Sequence, residues 1–331
     1  MSININNLTD EQKQQLIIAL QASLKDSKDS TELDNLRKEV SEARFNKGFL
    51  CPHCGSKHVV RHGTYKGKQR YLCRDCNSTF GDMTNTPMSR TKFPEKWNPF
   101  VECMLKGYSL RKSAEIVGVS YVTLFYWRHK LLESLKKTND TAFNGIVEMD
   151  ETFFLYSEKG KKGITYRKAR KRGGVAKKRG SSTEQVCVLV ARDRSKHTYS
   201  KVANLGRIRT ERVREMVGGL MNHDNILCTD GFKGYMTFAD SKDMDHYEII
   251  EHKTYKGIFH IQNVNNYHMR LKKWIRPFNG VATKYLDNYL AWFKFLDAKA
   301  FDDTKGILVE SCAQNVCETN DSLRLSEFKV A

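Results

Sequence analysis

The stretch GIVEMDETFF, residues 145–154, decides the fold. It is short, apolar and β-branched at its start and aromatic at its end, and it reads as a buried strand with Asp150 near its middle. The strand pattern continues outward on its C-terminal side. EQVCVLVARD (184–193) and HTYSKVAN (197–204) read as two further strands and TERVREMVGGLM (210–221) as a helix. DNILCTDG (224–231) and HYEIIEHK (246–253) read as strands, and HIQNVNNYHMRLKKW (260–274) as a helix.

Three strands, a helix, a strand, a helix and a strand is the order expected of an RNase H-like α/β fold, which places a catalytic domain over residues 141–300. Asp150 within one apolar strand and Asp230 at the end of another are costly unless something positive faces them, and no Lys or Arg adjoins either strand core. A divalent cation meets that need, and hard oxygen ligands select magnesium or manganese. Two such ions about 3.5 to 4 Å apart can clamp the attacking and leaving oxygens of a phosphoryl transfer.

A third oxygen ligand is sought on the closing helix. At about 100° per residue from Val264, the apolar Tyr267, Leu271 and Trp274 form one stripe that must face the sheet. Asn265, His268 and Lys272 form the adjoining stripe, and Asn266 points away, about 200° from Val264. Asn265 is therefore the preferred amide. Glu148, Glu151 and His260 are near enough to serve as alternates.

Between the first two strands lies KGKKGITYRKARKRGGVAKKRGSSTE, with 11 Lys and Arg between residues 159 and 179 and no acid in that span. Such a run cannot be core. It reads as a disordered or hairpin insertion, 157–184, that orders on phosphates through Arg167, Lys168, Arg170, Lys171, Arg172, Lys177, Lys178 and Arg179.

Upstream, CPHCGSKHVVRHGTYKGKQRYLCRDCNSTF carries two CxxC knuckles, Cys51 with Cys54 and Cys73 with Cys76, separated by 18 residues that suit two short strands and a Gly-rich turn. Two knuckles close a tetrahedral four-thiolate shell with no open position, so the spacing predicts a zinc ribbon over 47–90 whose zinc is structural. Arg70 and Arg74 make it basic and are expected to touch DNA. SLRKSAEIVGVSYVTLFYWRHKLLESL (109–135) then reads as a helix, a Gly118 turn and a second helix, a helix-turn-helix within 91–140. Its second helix would present Tyr121, Thr123, Tyr126, Arg128 and His129.

Residues 1–46 read as a helical segment, with Thr9 as cap and Leu16, Ile17, Leu20, Leu24, Leu33, Leu36 and Val40 as an apolar stripe. The tail, 301–331, reads as weakly ordered. Cys103, Cys187, Cys228, Cys312 and Cys317 lack metal spacing and read as core or free thiols.

Composition agrees with a nucleic-acid partner. The 331 residues carry 56 Lys and Arg against 38 Asp and Glu, a net charge of +18, which points to a polyanion rather than a small neutral substrate. No run of about 18 apolar residues and no signal-peptide layout is present, so a cytoplasmic, nucleoid-associated protein without a membrane partner is expected.

VEMDET with Asp150, CTDGFKGY with Asp230, and HIQNVNNYHMRLKKW with Asn265 and Lys272 together resemble the catalytic segments of DDE-superfamily transposases of bacterial insertion sequences. The resemblance is to the zinc-ribbon-bearing subgroup with Asn at the third catalytic position, and RPFNGVATKYLDNYLAWFKF (276–295) is similar to its closing helices. It spans roughly 47–300. It implies metal-dependent cleavage and strand transfer at the terminal inverted repeats of an element, by a homo-oligomer on double-stranded DNA, with Lys272 holding a phosphate. Other readings are a DNA-binding relative that acts as a regulator without chemistry, and a nuclease of the same fold without strand transfer.

Overall fold

Helix α1 (Asp10–Phe45) starts on the expected cap: Thr9 Oγ1 accepts from the Gln12 amide at 3.3 Å and the Gln12 side chain accepts from the Thr9 amide at 3.0 Å. The computed structural model describes residues 9–46, 48–136, 140–168, 174–178, 181–250, 257–298 and 304–313, with the backbone course alone for 20–32, 304 and 305. Of the expected α1 stripe, Leu36 and Val40 are buried and Ile17 is exposed, while Leu20 and Leu24 lie outside the described side chains.

The described residues divide into two units. One takes in those up to Lys106, Ser113–Leu124 and 304–313; the other takes in Gly107–Lys112 and Phe125 to 298. In the first, β1 (Val59–Tyr65), β2 (Lys68–Cys73) and a further short strand β3 (Thr79–Gly81) form an antiparallel sheet in that order. Phe45, Cys51, Cys73 and Phe80 make its small core, on which Tyr71 stacks, with its ring 5.5 Å from Phe80. The unit also holds α2 (Trp97–Leu105). The expectation of a weakly ordered tail is corrected over 304–313. That segment forms helix α9 (Thr304–Ala313), which packs on α1 and α2 and buries Leu308, Ser311 and Cys312. Residues 314–331 lie outside the described residues.

Helices α3 (Leu110–Val117) and α4 (Tyr121–Lys136) occupy the stretch read as helix, turn and helix. Gly118 between them has φ +70°, a left-handed turn that glycine adopts without a Cβ clash.

The second unit is built on a five-stranded mixed sheet of β4 (Ile146–Leu155), β5 (Gln185–Asp193), β6 (Thr198–Leu205), β7 (Ile226–Thr229) and β8 (Asp245–Glu248), in the order β6-β5-β4-β7-β8. The first three strands run antiparallel, and β7 and β8 join parallel. The described residues of the basic insertion, between β4 and β5, form no helix or strand. Along β5, Val186, Val188 and Val190 turn to one face and Cys187, Leu189 and Ala191 to the other, and all six are buried, as a central strand covered on both sides requires.

One face packs Val147 and Met149 of β4 with Val213 of α5 (Thr210–Val217) and with Tyr235 and Phe238 of α6 (Lys233–Asp240). The other packs the β5 valines with Val264, Tyr267 and Leu271 of α7 (Gln262–Ile275) and Leu290 and Phe293 of α8 (Leu286–Ala298). The apolar stripe projected for α7 is thus the buried one, and full burial of each such side chain is worth about 1.5 to 3 kcal/mol. It also fixes where the polar stripe beside it lies. Cys103, Cys187, Cys228 and Cys312 are buried, as expected; Cys317 lies outside the described residues.

Candidate active site

Register brings the two aspartates together. Glu148 of β4 pairs with Cys228 of β7 in parallel, so two residues further on Asp150 stands beside Asp230, just past the end of β7. This is the carboxyl end of parallel strands, where open α/β sheets form their ligand crevices.

Side chains alternate along β4. Asp150 therefore shares the face of Glu148, toward α7, and Glu151 shares the face of Met149, toward α6. Past the end of β7 the two come together around Asp230: ligand oxygens of Asp150, Glu151 and Asp230 all lie within 4.8 Å of one another. Three carboxylates so close disfavour one another's charge. Burial, then Glu151 and Asp230, push Asp150 up to about 7, and burial raises Glu151 as well. Tyr235, fully buried on the Glu151 side, has its phenol raised well above the usual range by burial and by the same carboxylates.

The stripe of α7 meets this cluster from the other side. His268 Nδ1 lies 3.7 Å from Asp150 Oδ2. Burial and the Lys272 charge lower His268 to about 4, so it is neutral at pH 7 and does not compensate Asp150. Lys272 is exposed, and its charge is felt at Asp150, where it lowers the pKa. Asn265 is exposed, and its side chain makes no hydrogen bond or ion pair among the described residues. An all-oxygen donor set with an excess of negative charge and a neutral imidazole beside it suits a hard divalent cation.

Glu151, weighed from the sequence only as an alternate, is drawn into the cluster, whereas Glu148 and His260 are not. The signal for Glu151 was its place next to Asp150 in the middle of β4, level with the end of β7, although strand alternation assigns the two to opposite faces. Tyr235 was not singled out, although it closes CTDGFKGY, the segment quoted for Asp230.

In the ribbon the four thiols converge. Cys51 Sγ and Cys76 Sγ are 3.6 Å apart, as are Cys54 Sγ and Cys73 Sγ, and all four lie within 4.8 Å of one another. A tetrahedral zinc with sulfur ligands at about 2.3 Å needs sulfurs about 3.8 Å apart. The donor set fits structural zinc.

The residues expected to contact DNA separate by exposure. Tyr121 and Tyr126 of α4 are exposed and Thr123 is half-buried. Arg128 is a correction: it is 1% exposed, donates to the Tyr108 carbonyl at 3.0 Å and stacks its guanidinium over Trp292 and Phe278. His129 is buried too, against Asn288 and Tyr285. Both fall on the α4 stripe that contains Leu124, Leu131 and Leu132, so helical periodicity turns them inward. In the ribbon Arg74 is exposed, while Arg70 is half-buried and donates to Thr79 Oγ1. In the insertion Arg167 pairs with Glu158 at 3.2 Å, and Lys168, Lys177 and Lys178 are exposed. Arg170, Lys171, Arg172 and Arg179 lie outside the described residues.

Comparison with known proteins points the same way. Residues 142–296, which hold the acidic cluster, match the family model of the ISXO2-like transposase domain, and residues 49–77, which hold the four thiols, match that of the InsA N-terminal domain. A Halobacterium salinarum protein described as the uncharacterized protein in transposable element ISH50 is 28% identical over 262 residues, 77% of this chain and 87% of that one. A chain in the crystal structure of a pre-cleavage Mos1 transpososome aligns at 12% identity over 65% of this chain and 78% of that one, with a TM-score of 0.24. Over its ribbon and over the sheet domain with the carboxylate cluster, the chain is similar to proteins of insertion sequences, and these comparisons support a transposase with a zinc-ribbon N-terminal region.

Proposed function

We propose that this protein is a transposase that cuts DNA at the ends of an insertion sequence and joins the freed 3′-hydroxyl to target DNA. The observation that carries the reading is the convergence of Asp150, Glu151 and Asp230 with no permanent cation within ion-pair distance among the described residues. Magnesium or manganese held there would act as a Lewis acid on the scissile phosphate and lower the pKa of the attacking water or hydroxyl. The strand order, two antiparallel pairings followed by two parallel ones, supports an RNase H-like catalytic domain.

Each side chain has a part in this scheme. Asp150 of β4 and Asp230 at the end of β7 would hold the metal. Glu151 adds a carboxylate from the opposite face of β4, and Asn265 supplies the third-position oxygen from the exposed edge of α7. Lys272, exposed on the same helix, holds a phosphate of the reacting strand by charge. Neutral His268 packs beside Asp150 and orders it.

Binding is distributed. The ribbon and the helices α3 and α4 read the terminal repeats as a zinc ribbon and a helix-turn-helix, with Tyr121, Thr123 and Arg74 toward DNA. Lys168, Lys177 and Lys178 of the insertion, with its neighbouring basic residues, neutralise backbone phosphates. Two ends must be brought together for joining, which calls for a homo-oligomer on DNA. No described helix is long and apolar enough to cross a membrane.

The test is a joining assay. Purified protein is incubated with manganese, a labelled duplex carrying the terminal repeat that flanks the coding region, and a supercoiled target plasmid. The proposal predicts label covalently joined to plasmid. Cut ends without joined product would assign a nuclease, and a retarded duplex without cuts would assign a binding protein.

A further inference from the structure

Glu148 has no exposed surface, yet its carboxylate is satisfied from outside its own strand. Oε1 accepts from Asn263 Nδ2 at 2.7 Å and pairs with Arg194 Nη1 at 2.8 Å, with His260 Nδ1 at 3.3 Å. Oε2 accepts from the backbone N–H of Val264 at 2.9 Å. Val264 N–H is one of the first amides of α7, which have no partner within the helix. Locally the helix has only the His260 ring, whose Nδ1 accepts from the Gln262 amide at 3.3 Å; its N-cap, Ile261, makes no side-chain cap bond, and its first turn holds no acidic residue. The anionic part of the α7 cap therefore comes from the sheet, as a carboxylate placed at the positive end of the helix dipole.

The same residue sets a register. From Glu148 to Asp150 is two strand residues, about 6.6 Å. From Val264 to His268 is four helical residues, about 6 Å. The steps match, so a helix pinned at Val264 by Glu148 brings His268 opposite Asp150, where Nδ1 is found 3.7 Å from Oδ2. A helical turn further on comes Lys272, and Asn265 follows Val264 directly.

We infer that Glu148 is a positioning residue for the reaction: by capping α7 from β4 it holds the Asn265, His268 and Lys272 stripe in register with Asp150. The inference rests on the proposed reading of Asp150 and Asp230 as the metal-holding centre. A buried ion pair with Arg194 alone would give little net stability. What the arrangement adds is a fixed distance between two elements that each carry part of the site.

The test uses the full zinc-loaded chain and the variant Glu148→Gln, which keeps the side-chain volume but loses the charge and one acceptor. Histidine side-chain nitrogen resonances, with His268 assigned through His268→Gln, report the contact with Asp150. Cleavage of labelled end DNA at saturating manganese reports the chemistry, and retardation of the same duplex reports binding. The expected result is a shift of the His268 resonances, at least a 50-fold fall in cleavage, and duplex affinity within twofold of the parent, at a temperature where circular dichroism shows the variant folded. Unmoved His268 resonances, or cleavage at the parent rate, would overturn the inference.

Should Glu148→Gln not fold, Asn263→Ala removes a single donor to the carboxylate at the half-buried start of α7. It is expected to shift His268 in the same direction and lower cleavage about fivefold, and no change in either would likewise overturn the inference. A parent protein that cuts no DNA would instead sink the transposase reading, and the His268 shift would still decide the positioning.

Discussion

Replacing Asp150 by Asn should stabilise the metal-free domain, and by an amount that grows with pH. In the folded protein Asp150 is raised from 3.8 to about 7 by burial and by Glu151 and Asp230. Between those values the native state holds a proton that the unfolded chain has released. The stability this contributes is complete below 3.8 and is lost as pH rises through about 7. A difference of about three pH units at about 1.4 kcal/mol each makes the loss about 4 kcal/mol by pH 8. Asn cannot ionise and escapes it. Neutral His268, lowered to about 4, has the opposite sign, with stability rising as pH climbs toward 6.5, but it is present in both proteins and drops out of the difference.

The assay is urea unfolding of zinc-loaded protein freed of magnesium and manganese, in a Trp97→Phe background so that Trp127, Trp274 and Trp292 report the sheet unit. Asp150→Asn should match the parent near pH 4 and exceed it by about 4 kcal/mol at pH 8. Manganese at about 100 times its dissociation constant should then restore about 2.7 kcal/mol to the parent and much less to the variant. A difference that stays flat from pH 4 to 8, or a variant less stable than the parent at pH 8, would refute the crowding of carboxylates on which the site is built.

Three other outcomes follow from the same structure. Cys51→Ser should lower the zinc content from one ion per chain to none and unfold the ribbon, while Cys228→Ser should leave zinc content unchanged; metal analysis decides, and retained zinc in Cys51→Ser would contradict the four-thiolate centre. Arg128→Ala should lower the melting temperature, at a cost of about 3 kcal/mol for the lost stacking and carbonyl bond, with unchanged affinity for end DNA per folded molecule, whereas joint replacement of Lys177 and Lys178 by Ala should leave the melting temperature alone and reduce the salt dependence of DNA binding by about two in log–log slope. Asn265→Ala, at an exposed position, should change stability by less than about 0.5 kcal/mol yet abolish cleavage, and Asn265→Glu should retain it; full activity of the alanine variant would remove Asn265 from the site.

Much of this was legible in apolar runs and spacings. The short apolar runs in GIVEMDETFF and EQVCVLVARD marked buried strands, and the period of 3.6 from Val264 through Leu271 marked the buried face of α7 and hence the stripe beside it. The CxxC spacing announced the ribbon because four thiolates at that interval have one compact solution. What was not legible depends on tertiary partners. Arg128 reads as a recognition-helix cation until Trp292 and Phe278, far along the chain, are seen to enclose it. Glu151 joins Asp150 only because β7 ends there and brings Asp230 beside both, and Glu148 reveals its role only once its carboxylate is seen to accept from the Val264 amide of α7. The tail carries Leu308 and Cys312 at helical spacing, but six acidic residues in 301–331 masked that pattern; burial against α1 made it a helix.

The central claim is that the carboxylate cluster is a metal-dependent centre for DNA cleavage. Its most direct test is the rate of cutting of a labelled terminal-repeat duplex by the parent, Asp150→Asn and Asp230→Asn, at matched DNA occupancy, with manganese and without. The parent should cut only with manganese, and neither variant should cut although both bind the duplex. Cutting that persists without a divalent metal, or in either variant, would contradict the claim.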